Sequence, residues 1–162
     1  MSVDDRMQWL APVPVACAGM RVGAVRALPA ARLDELRALY ALLDPALPAL
    51  RCDGAEAAVR AAGVTLFAAV DEASGRMAGA VTLVTARTPA RVRAWAEDLV
   101  VDPRFRGRGI GAALMDACAA AAGAAGAEVM DGTVHPRREA AVALYRRTGW
   151  EFSESLPVRR RL

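Results

Sequence analysis

The chain has 162 residues, of which 55% are hydrophobic and 24% charged, so it can bury a core unaided and is not disordered. Its formal net charge is only +3, and its arginines are not interleaved with aromatic residues in the basic stripe typical of nucleic-acid-binding proteins. The three cysteines lie far apart in sequence and predict neither a disulfide framework nor a metal site.

No segment of the sequence resembles an export signal or a membrane span. Two aspartates precede the first apolar run, and two prolines interrupt that run, unlike a signal peptide. Residues 110–127 are mostly alanine and include Asp116, so they predict a packed helix and not a membrane span. We therefore expect a cytoplasmic protein that has neither a membrane nor a nucleic acid as its partner.

The first half of the chain predicts an N-terminal arm followed by the start of one folded domain. Residues 1–19 show no periodicity and are expected to form the arm, and residues 20–162 the domain. Residues 32–43 have leucines and a tyrosine at helical spacing, which indicates an amphipathic helix. The other expected elements are a strand at 20–28, a short helix at 55–62, and a hairpin of strands 64–70 and 77–85 joined by a turn at 71–75.

The second half predicts strands and helices that alternate around a glycine-rich loop. The expected order is a strand at 93–101, the loop at 106–111, a helix to Ala125, a strand at 129–134, a helix at 137–147 and a terminal strand at 150–159. This order lacks regular βαβ alternation and argues against a doubly wound nucleotide fold. It predicts an α/β (α+β) domain, with one layered sheet and helices on its faces.

The glycine-rich loop is the most informative segment, because it joins the end of a strand to the start of a helix. Glycines allow close backbone approach, and the first amides of a helix attract anions such as phosphate. Arg104, Arg106 and Arg108 add positive charge. The chain has no lysine, which excludes a P-loop, and the glycine spacing is wrong for a Rossmann motif.

The residues around this loop resemble two motifs of the GNAT family of N-acetyltransferases. The loop, which follows a strand ending in Leu99-Val100-Val101-Asp102-Pro103, is similar to the R/Q-x-x-G-x-G/A motif and reads Arg106-Gly107-Arg108-Gly109-Ile110-Gly111. Residues 141–150 are similar to the family's A-x-x-L-Y-x-x-x-G-F helix end, with tryptophan as the last residue. The close match covers residues 94–152.

The resemblance implies a mixed, mostly antiparallel sheet whose fourth and fifth strands splay apart to admit acetyl-CoA. Backbone groups of Leu99, Val100 and Val101 would then pair with the pantetheine amides. Amides in the loop and the first helical turn would hold the pyrophosphate: those of Arg106, Gly107, Arg108, Gly109, Ile110, Gly111 and Ala112. Arg138 stands where many members carry asparagine, and its guanidinium could reach a phosphate instead. No metal is expected.

Direct transfer of an acyl group from a thioester to an amine needs two proton movements and no covalent enzyme intermediate. The resemblance implies Tyr145 as the general acid beside the sulfur and Glu97 as the general base, directly or through water. Regular strand alternation would place Glu97, Leu99 and Val101 on one face and Asp98 on the other, unless a bulge intervenes.

Other chemically capable residues have simpler interpretations. Cys118 lies within an alanine-rich helix and is expected in the core, as are Trp95 and Trp150. His135 is the only histidine and follows a strand near the expected acceptor approach. It is either a substrate contact or an ordinary surface residue.

The leading hypothesis is an N-acetyltransferase that moves the acetyl group of acetyl-CoA to a primary amine. A transferase of another acyl group, or a non-catalytic acyl-CoA-binding module, is the alternative. The acceptor stays open between a small-molecule amine, such as a polyamine, an amino acid or an antibiotic, and a protein N-terminus, and a homodimer is a possible assembly. Five acids in residues 33–63 favour a cationic acceptor: Asp34, Glu35, Asp44, Asp53 and Glu56.

Overall fold

The computed structural model describes residues 7–12, 17–43, 52–154, 158 and 160. Their strands form one six-stranded sheet in sequential order. Neighbours from β1 to β5 are antiparallel, and β5 and β6 are parallel. The strands are β1 Gln8–Pro12, β2 Met20–Ala27, β3 Val64–Asp71, β4 Met77–Arg87, β5 Val92–Val101 and β6 Ala127–Gly132.

Helices cover both faces of the sheet, as the sequence predicts. One buried cluster joins the sheet to the first two helices, and a second joins it to the third helix and to Tyr145 of the fourth. The helices are α1 Ala30–Ala41, α2 Cys52–Arg60, α3 Ile110–Ala124 and α4 Glu139–Arg147. None of the helices among the described residues has both the length and the apolar character that a membrane crossing requires.

The alanine-rich helix α3 is buried because its small side chains let it lie close against the sheet. Ala113, Ala117 and Cys118 are almost fully inaccessible to solvent. On the facing strand β4, a Cβ at Gly79 would lie 3.2 Å from a methyl of Leu114. The prediction of a packed helix at this apolar run agrees with this arrangement.

The sheet opens between β5 and β6. Their parallel pairing ends where Ala96 meets Gly132, although β5 continues to Val101 in pairing with β4. Among the described residues, the last five residues of β5 therefore have no strand partner on the side of β6. These are the fourth and fifth strands of the predicted fold, and their expected separation is confirmed.

A β-bulge in β5 breaks the regular alternation that the sequence predicts. Thr82 of β4 pairs with Glu97 and Ala80 pairs with Val100, so one residue of β4 stands opposite two of β5. Asp98 within the bulge has a left-handed φ of 56°. Ala96 packs on the side of α3, whereas Val100 packs on the side of α1, an even spacing that regular alternation forbids. The prediction that Glu97 shares a face with Leu99 and Val101 is wrong for this reason.

The two ends of the chain also differ from the predicted elements. Part of the expected arm, Gln8–Pro12, is β1 and pairs with β2. The terminal strand expected at 150–159 is wrong for residues 150–154, which form no strand, and residues 155–157 and 159 lie outside the described residues. The apolar side chains of this segment pack back onto α4, with Trp150 edge-on to Tyr145 and Phe152 beneath Arg146.

Candidate active site

A cavity of about 270 Å³ lies where β5 and β6 separate. It brings together residues from the end of α1, the bulge of β5, the segment after β6 and helix α4. The lining residues are Leu43, Ala96, Glu97, Asp98, Leu99, Thr133, Val134, His135, Arg138, Ala141 and Tyr145. Both predicted catalytic residues, Glu97 and Tyr145, are therefore in one cavity with Leu99 and Arg138 of the predicted cofactor site.

Tyr145 reaches the cavity from the last turn of α4. Its side chain is buried, and its ring packs edge-on against Trp150 with centroids 5.1 Å apart. Burial raises the pKa of the phenol, and the negative charge of Glu97 raises it further. A raised pKa keeps the hydroxyl protonated at neutral pH, which a general acid requires.

Glu97 and Asp98 both line the cavity because the bulge turns consecutive side chains into it. Burial raises the pKa of Glu97, and the charge of Asp98 adds to the increase. A carboxylate with a raised pKa is a stronger proton acceptor near neutrality. Sequence reasoning did not place Asp98 in the site, because an ideal strand would send it to the opposite face.

The glycine-rich loop lies beyond the open end of β5 and presents unpaired backbone amides. Among the described residues, the amides of residues 107–112 donate to no backbone carbonyl, and the first bond of α3 runs from Ala113 to Gly109 at 3.0 Å. Gly107 and Gly109 have φ values of 78° and 80°, and no atom lies within 4 Å of the Cβ position of either. The loop thus presents a row of unpaired backbone N–H donors on its open side, an arrangement suited to binding an anion such as pyrophosphate.

Gly111 of the same motif has a different role. A Cβ at this position would lie 3.0 Å from Cδ2 of Leu144. The absence of a side chain at Gly111 therefore allows the start of α3 to lie against α4. The residue that it contacts on α4, Leu144, immediately precedes Tyr145 in the sequence. The loop and the predicted general acid are joined by this packing.

The three arginines in and just before the loop are not equivalent. Asp102 is buried, and its carboxylate accepts from the backbone amide and the guanidinium of Arg104, whose Nε lies 3.1 Å from both oxygens. This contact holds the pKa of Asp102 below its usual range. Arg108 pairs with Asp71 at 3.2 Å. Arg106 is exposed and has no ion pair within the described part of the chain.

Arg138 and His135 stand at the rim of the cavity. The guanidinium of Arg138 donates to the carbonyl of Leu43 at 2.6 Å and so links the start of α4 to the end of α1. Nδ1 of His135 accepts from the amide of Arg137 at 3.1 Å. His135 is exposed, and its position in the lining keeps the prediction of a substrate contact open.

Of the five acids predicted to receive a cationic acceptor, the three whose side chains the structure describes, Asp34, Glu35 and Glu56, do not line this cavity. Asp34 and Glu35 pair with arginines of α1, and Glu35 also accepts from the amide of Met77. Glu56 pairs with Arg60 on α2. Asp44 and the side chain of Asp53 lie outside the described residues. The negative charge of the cavity comes instead from Glu97 and Asp98.

No group of three or more histidine, cysteine, aspartate or glutamate side chains within the described ranges is arranged to hold a metal ion. The remaining predicted cofactor residues, Val100 and Val101, lie on the stretch of β5 between the cavity and the glycine loop. Neither residue pairs with β6, whose pairing with β5 ends at Ala96. The predicted site residues thus follow one continuous path from Tyr145 to the loop.

Comparison with known proteins gives a family. The model of the acetyltransferase (GNAT) family matches residues 33–150. No curated protein sequence matches the chain. Solved structures match it over nearly their whole length, at identities that establish the shared fold alone.

An acetyltransferase from Trypanosoma brucei is 23% identical, with a TM-score of 0.70 over 88% of this chain and 99% of that one. An aminoglycoside acetyltransferase from an uncultured soil metagenomic sample is 16% identical, with a TM-score of 0.77 over 89% and 96%. The aminoglycoside acetyltransferase AAC(6')-Iy, in complex with a CoA-containing bisubstrate analogue, is 22% identical, with a TM-score of 0.71 over 88% and 98%. The family match, which covers most of the chain, and the sheet opened beside a glycine-rich loop show that the protein belongs to the GNAT family of acetyltransferases.

Proposed function

We propose that the protein transfers the acetyl group of acetyl-CoA to a primary amine of a small, cationic acceptor. The observation that carries this proposal is the cavity between β5 and β6. Its lining includes Tyr145, Glu97 and Asp98, and it adjoins the edge of β5 that β6 leaves open, with the loop of unpaired amides beyond the end of β5.

The chain has groups that fit each part of acetyl-CoA. The backbone of Leu99, Val100 and Val101 is free on the side of β6 to pair with the pantetheine amides. The amides of residues 107–112, with the charge of Arg106, suit the pyrophosphate. The cosubstrate, when bound, supplies an acetyl thioester whose carbonyl carbon the amine attacks. Among structural neighbours, AAC(6')-Iy is described in complex with CoA.

Glu97 and Tyr145 are the groups to which we assign the two proton movements. Glu97 accepts a proton from the acceptor ammonium, directly or through water, which leaves the nitrogen lone pair able to form the new C–N bond. Tyr145 donates its proton to the departing sulfur as the C–S bond breaks. Desolvation is the largest cause that raises the pKa of each group, although Glu97 is still exposed. The shift makes Glu97 a stronger proton acceptor and favours the protonated form of Tyr145.

The charge of the cavity supports a cationic acceptor. Glu97 and Asp98 line it together, and Arg138, the cationic side chain of the lining, is directed to the carbonyl of Leu43. An amine that carries further ammonium groups would gain from both carboxylates, whereas an anionic acceptor would be repelled. Aminoglycoside acetyltransferases are among the structural neighbours and act on amines of this kind of charge.

The test is a screen of amines with acetyl-CoA, read by release of the CoA thiol and by mass of the acetylated product. The panel holds polyamines, amino acids, aminoglycosides and peptides with free N-termini. We expect turnover with a polycationic small molecule and its loss in Tyr145→Phe. Turnover with peptides alone would contradict the acceptor class, and acetyl-CoA binding without turnover on any amine would leave a binding module.

The acyl group is tested in the same assay with propionyl-CoA and succinyl-CoA at equal concentrations. We expect acetyl-CoA to give the highest kcat/KM. The carboxylate of a succinyl group would enter a cavity lined by Glu97 and Asp98, and repulsion between like charges would disfavour its binding. A preference for succinyl-CoA would overturn the assignment of the acyl group.

A further inference from the structure

Arg108 is the one residue with a side chain between the two left-handed glycines of the loop, Gly107 and Gly109. Glycines give a loop freedom that it must lose when it binds a ligand. An anchor on the residue between them therefore decides how much of that freedom remains before binding. The structure holds Arg108 at both its side chain and its backbone.

The side-chain anchor is Asp71, the last residue of β3. Nη1 of Arg108 lies 3.2 Å from Oδ1 of Asp71, and the two residues are 37 positions apart in sequence. The carboxylate is 9% exposed, whereas the Arg108 side chain is 40% exposed. Asp71 is thus the buried partner and Arg108 the more exposed one.

Asp71 is itself held by the turn between β3 and β4. Its second oxygen, Oδ2, accepts from the amide of Ser74 at 2.9 Å and from the Ser74 hydroxyl at 2.6 Å. One carboxylate oxygen therefore closes the hairpin turn while the other binds the loop. The side chain of Asp71 thus connects the hairpin turn directly to the glycine-rich loop.

The backbone anchor comes from the start of β2. The thiol of Cys17 donates to the carbonyl of Arg108 at 3.2 Å. A Cβ at Gly19 would lie 3.4 Å from Nη2 of Arg108, so the absence of a side chain there leaves room for the guanidinium. Cys17 and Gly19, just before β2, and Asp71, the last residue of β3, thus surround Arg108.

We propose that Asp71 is a positioning residue for acyl-CoA binding, which acts through Arg108 to hold the glycine-rich loop in its binding conformation. This inference rests on the proposed function, because it concerns the loop that would hold the pyrophosphate. In this proposal Asp71 acts without touching the cosubstrate. Its effect is to reduce the conformational freedom that the loop loses on binding.

The same contacts divide the work among the three arginines of the loop. Asp102 pairs with Arg104, and Asp71 pairs with Arg108, so both of these guanidinium groups have carboxylate partners within the fold. Arg106 is exposed and without an ion pair among the described residues. Arg106 therefore supplies side-chain charge to the phosphates, while Arg108 supplies its amide and the anchor.

The experiment compares Asp71→Asn with Ser74→Ala, and each with Arg108→Gln. Asparagine keeps an oxygen for Ser74 and removes the charge that binds Arg108. Ser74→Ala weakens the same turn and leaves the carboxylate and Arg108 in place, so it controls for a purely structural role. Titration calorimetry with acetyl-CoA gives Kd for each folded variant, and steady-state kinetics with saturating amine give KM and kcat.

We expect Asp71→Asn to raise the Kd for acetyl-CoA about three- to tenfold, with kcat unchanged at saturation. Ser74→Ala should lower Tm and leave Kd unchanged. In the Arg108→Gln background, Asp71→Asn should have no further effect on Kd. An unchanged Kd in Asp71→Asn, or the same increase with and without Arg108, would overturn the inference.

If wild-type protein does not bind acetyl-CoA, the proposed function itself is refuted. That outcome differs from one in which wild type binds acetyl-CoA and the Kd values of the variants depart from those expected. Where Asp71→Asn does not fold, NMR order parameters of the amides of residues 107–109 in ligand-free Arg108→Gln decide. Lower order parameters than in wild type support the anchor, and equal values overturn it.

Discussion

Glu97 and Asp98 are neighbours both in sequence and in the cavity, because the backbone at Asp98 is left-handed. Aspartate is one of the few residues other than glycine that tolerate this conformation. The resulting bulge gives the cavity two carboxylates where an ideal strand would give one. The charge of Asp98 then raises the pKa of Glu97, so the strength of the proposed base depends on a backbone irregularity.

This coupling predicts the effect of Asp98→Asn on the pH profile. Glu97 accepts a proton only as a carboxylate, so the rate falls as pH drops below its pKa. Loss of the negative charge of Asp98 lowers that pKa, and the acid limb of kcat/KM should move to lower pH by less than about one unit, because burial is the larger cause and remains. The pH dependence of kcat/KM, measured from pH 4 to 9, gives the shift.

The matched control is Asp116→Asn, which removes a carboxylate exposed on α3. Its acid limb should coincide with that of wild type. Glu97→Gln should slow the reaction near neutrality and lose less at high pH, where more of the amine is already unprotonated. An unmoved limb in Asp98→Asn, together with full activity in Glu97→Gln, would exclude Glu97 as the base.

Tyr145 gives the second prediction at the scale of a residue. Phenylalanine keeps the ring and its edge-on contact with Trp150, so Tyr145→Phe should fold normally. The loss of one general acid should lower kcat on the order of 10²–10⁴-fold and leave the Kd for acetyl-CoA unchanged. Stopped assays of product formation and calorimetry measure the two quantities.

The chain offers its own control for this variant. Tyr40, the other tyrosine, is on α1 and its hydroxyl meets that of Thr82 at 3.4 Å, outside the cavity lining. Tyr40→Phe should change kcat far less than Tyr145→Phe does. Turnover by Tyr145→Phe within twofold of wild type would remove Tyr145 from the mechanism.

At the scale of an element, the junction of the loop with α3 leads to a prediction for Gly109→Val. A branched side chain is strained at a φ of 80°, and it would fill the open space where the ligand approaches. We expect acetyl-CoA binding to weaken at least about tenfold, measured as Kd in protein whose circular dichroism matches wild type.

The other end of the same helix provides a matched substitution. Gly126 follows α3 with a φ of 91°, and only a methyl of Val92 lies near its Cβ position, at 3.7 Å. Gly126→Val imposes comparable backbone strain away from the loop and should lower Tm without changing Kd. Equal Kd values in both variants would show that the loop does not hold the cosubstrate.

Most elements of the fold were predictable from local patterns in the sequence. The leucines of α1 recur at helical spacing and are buried, and the hairpin of β3 and β4 follows from two apolar runs joined by a turn. The strand β1 was not predictable, because its five residues include a proline and gain order only by pairing with β2. The bulge in β5 depends on the register against β4, which no local pattern encodes.

At the scale of the whole molecule, the candidate site was predictable where it lies on the two motifs and not where it depends on distant contacts. The loop and Tyr145 carry recognisable residue patterns. No such pattern identifies the partners of the site's arginines. Asp71 and Arg108 are 37 residues apart, and Leu43 and Arg138 are 95 apart. Such pairs exist only once the sheet has brought β3, α1 and α4 to the same region.

Two buried carboxylates, Asp71 and Asp102, predict how the whole fold responds to acid. The hydrogen bonds from Ser74, with those from Arg108, lower the pKa of Asp71, and Arg104 lowers that of Asp102. A carboxyl group whose pKa is lower in the folded state stabilises the fold when it is ionised. This contribution is complete above the pKa of the unfolded chain, about 3.9, and is lost as the pH falls through the pKa of the folded state. We therefore expect Tm to be steady from neutral pH to about pH 5 and to fall steeply below about pH 4.

Asp102→Asn tests this assignment, because asparagine can still accept from the amide of Arg104 but does not titrate. The variant should have a lower Tm than wild type at pH 7 and a smaller decline between about pH 4 and pH 2, so the two curves converge in acid. Asp34→Asn, which removes a carboxylate that is 75% exposed, should follow the wild-type curve throughout. Thermal unfolding followed by circular dichroism across this range measures the curves. Parallel curves for wild type and Asp102→Asn would show that Asp102 does not link protonation to unfolding, and the acid sensitivity would then lie in other carboxylates of the chain.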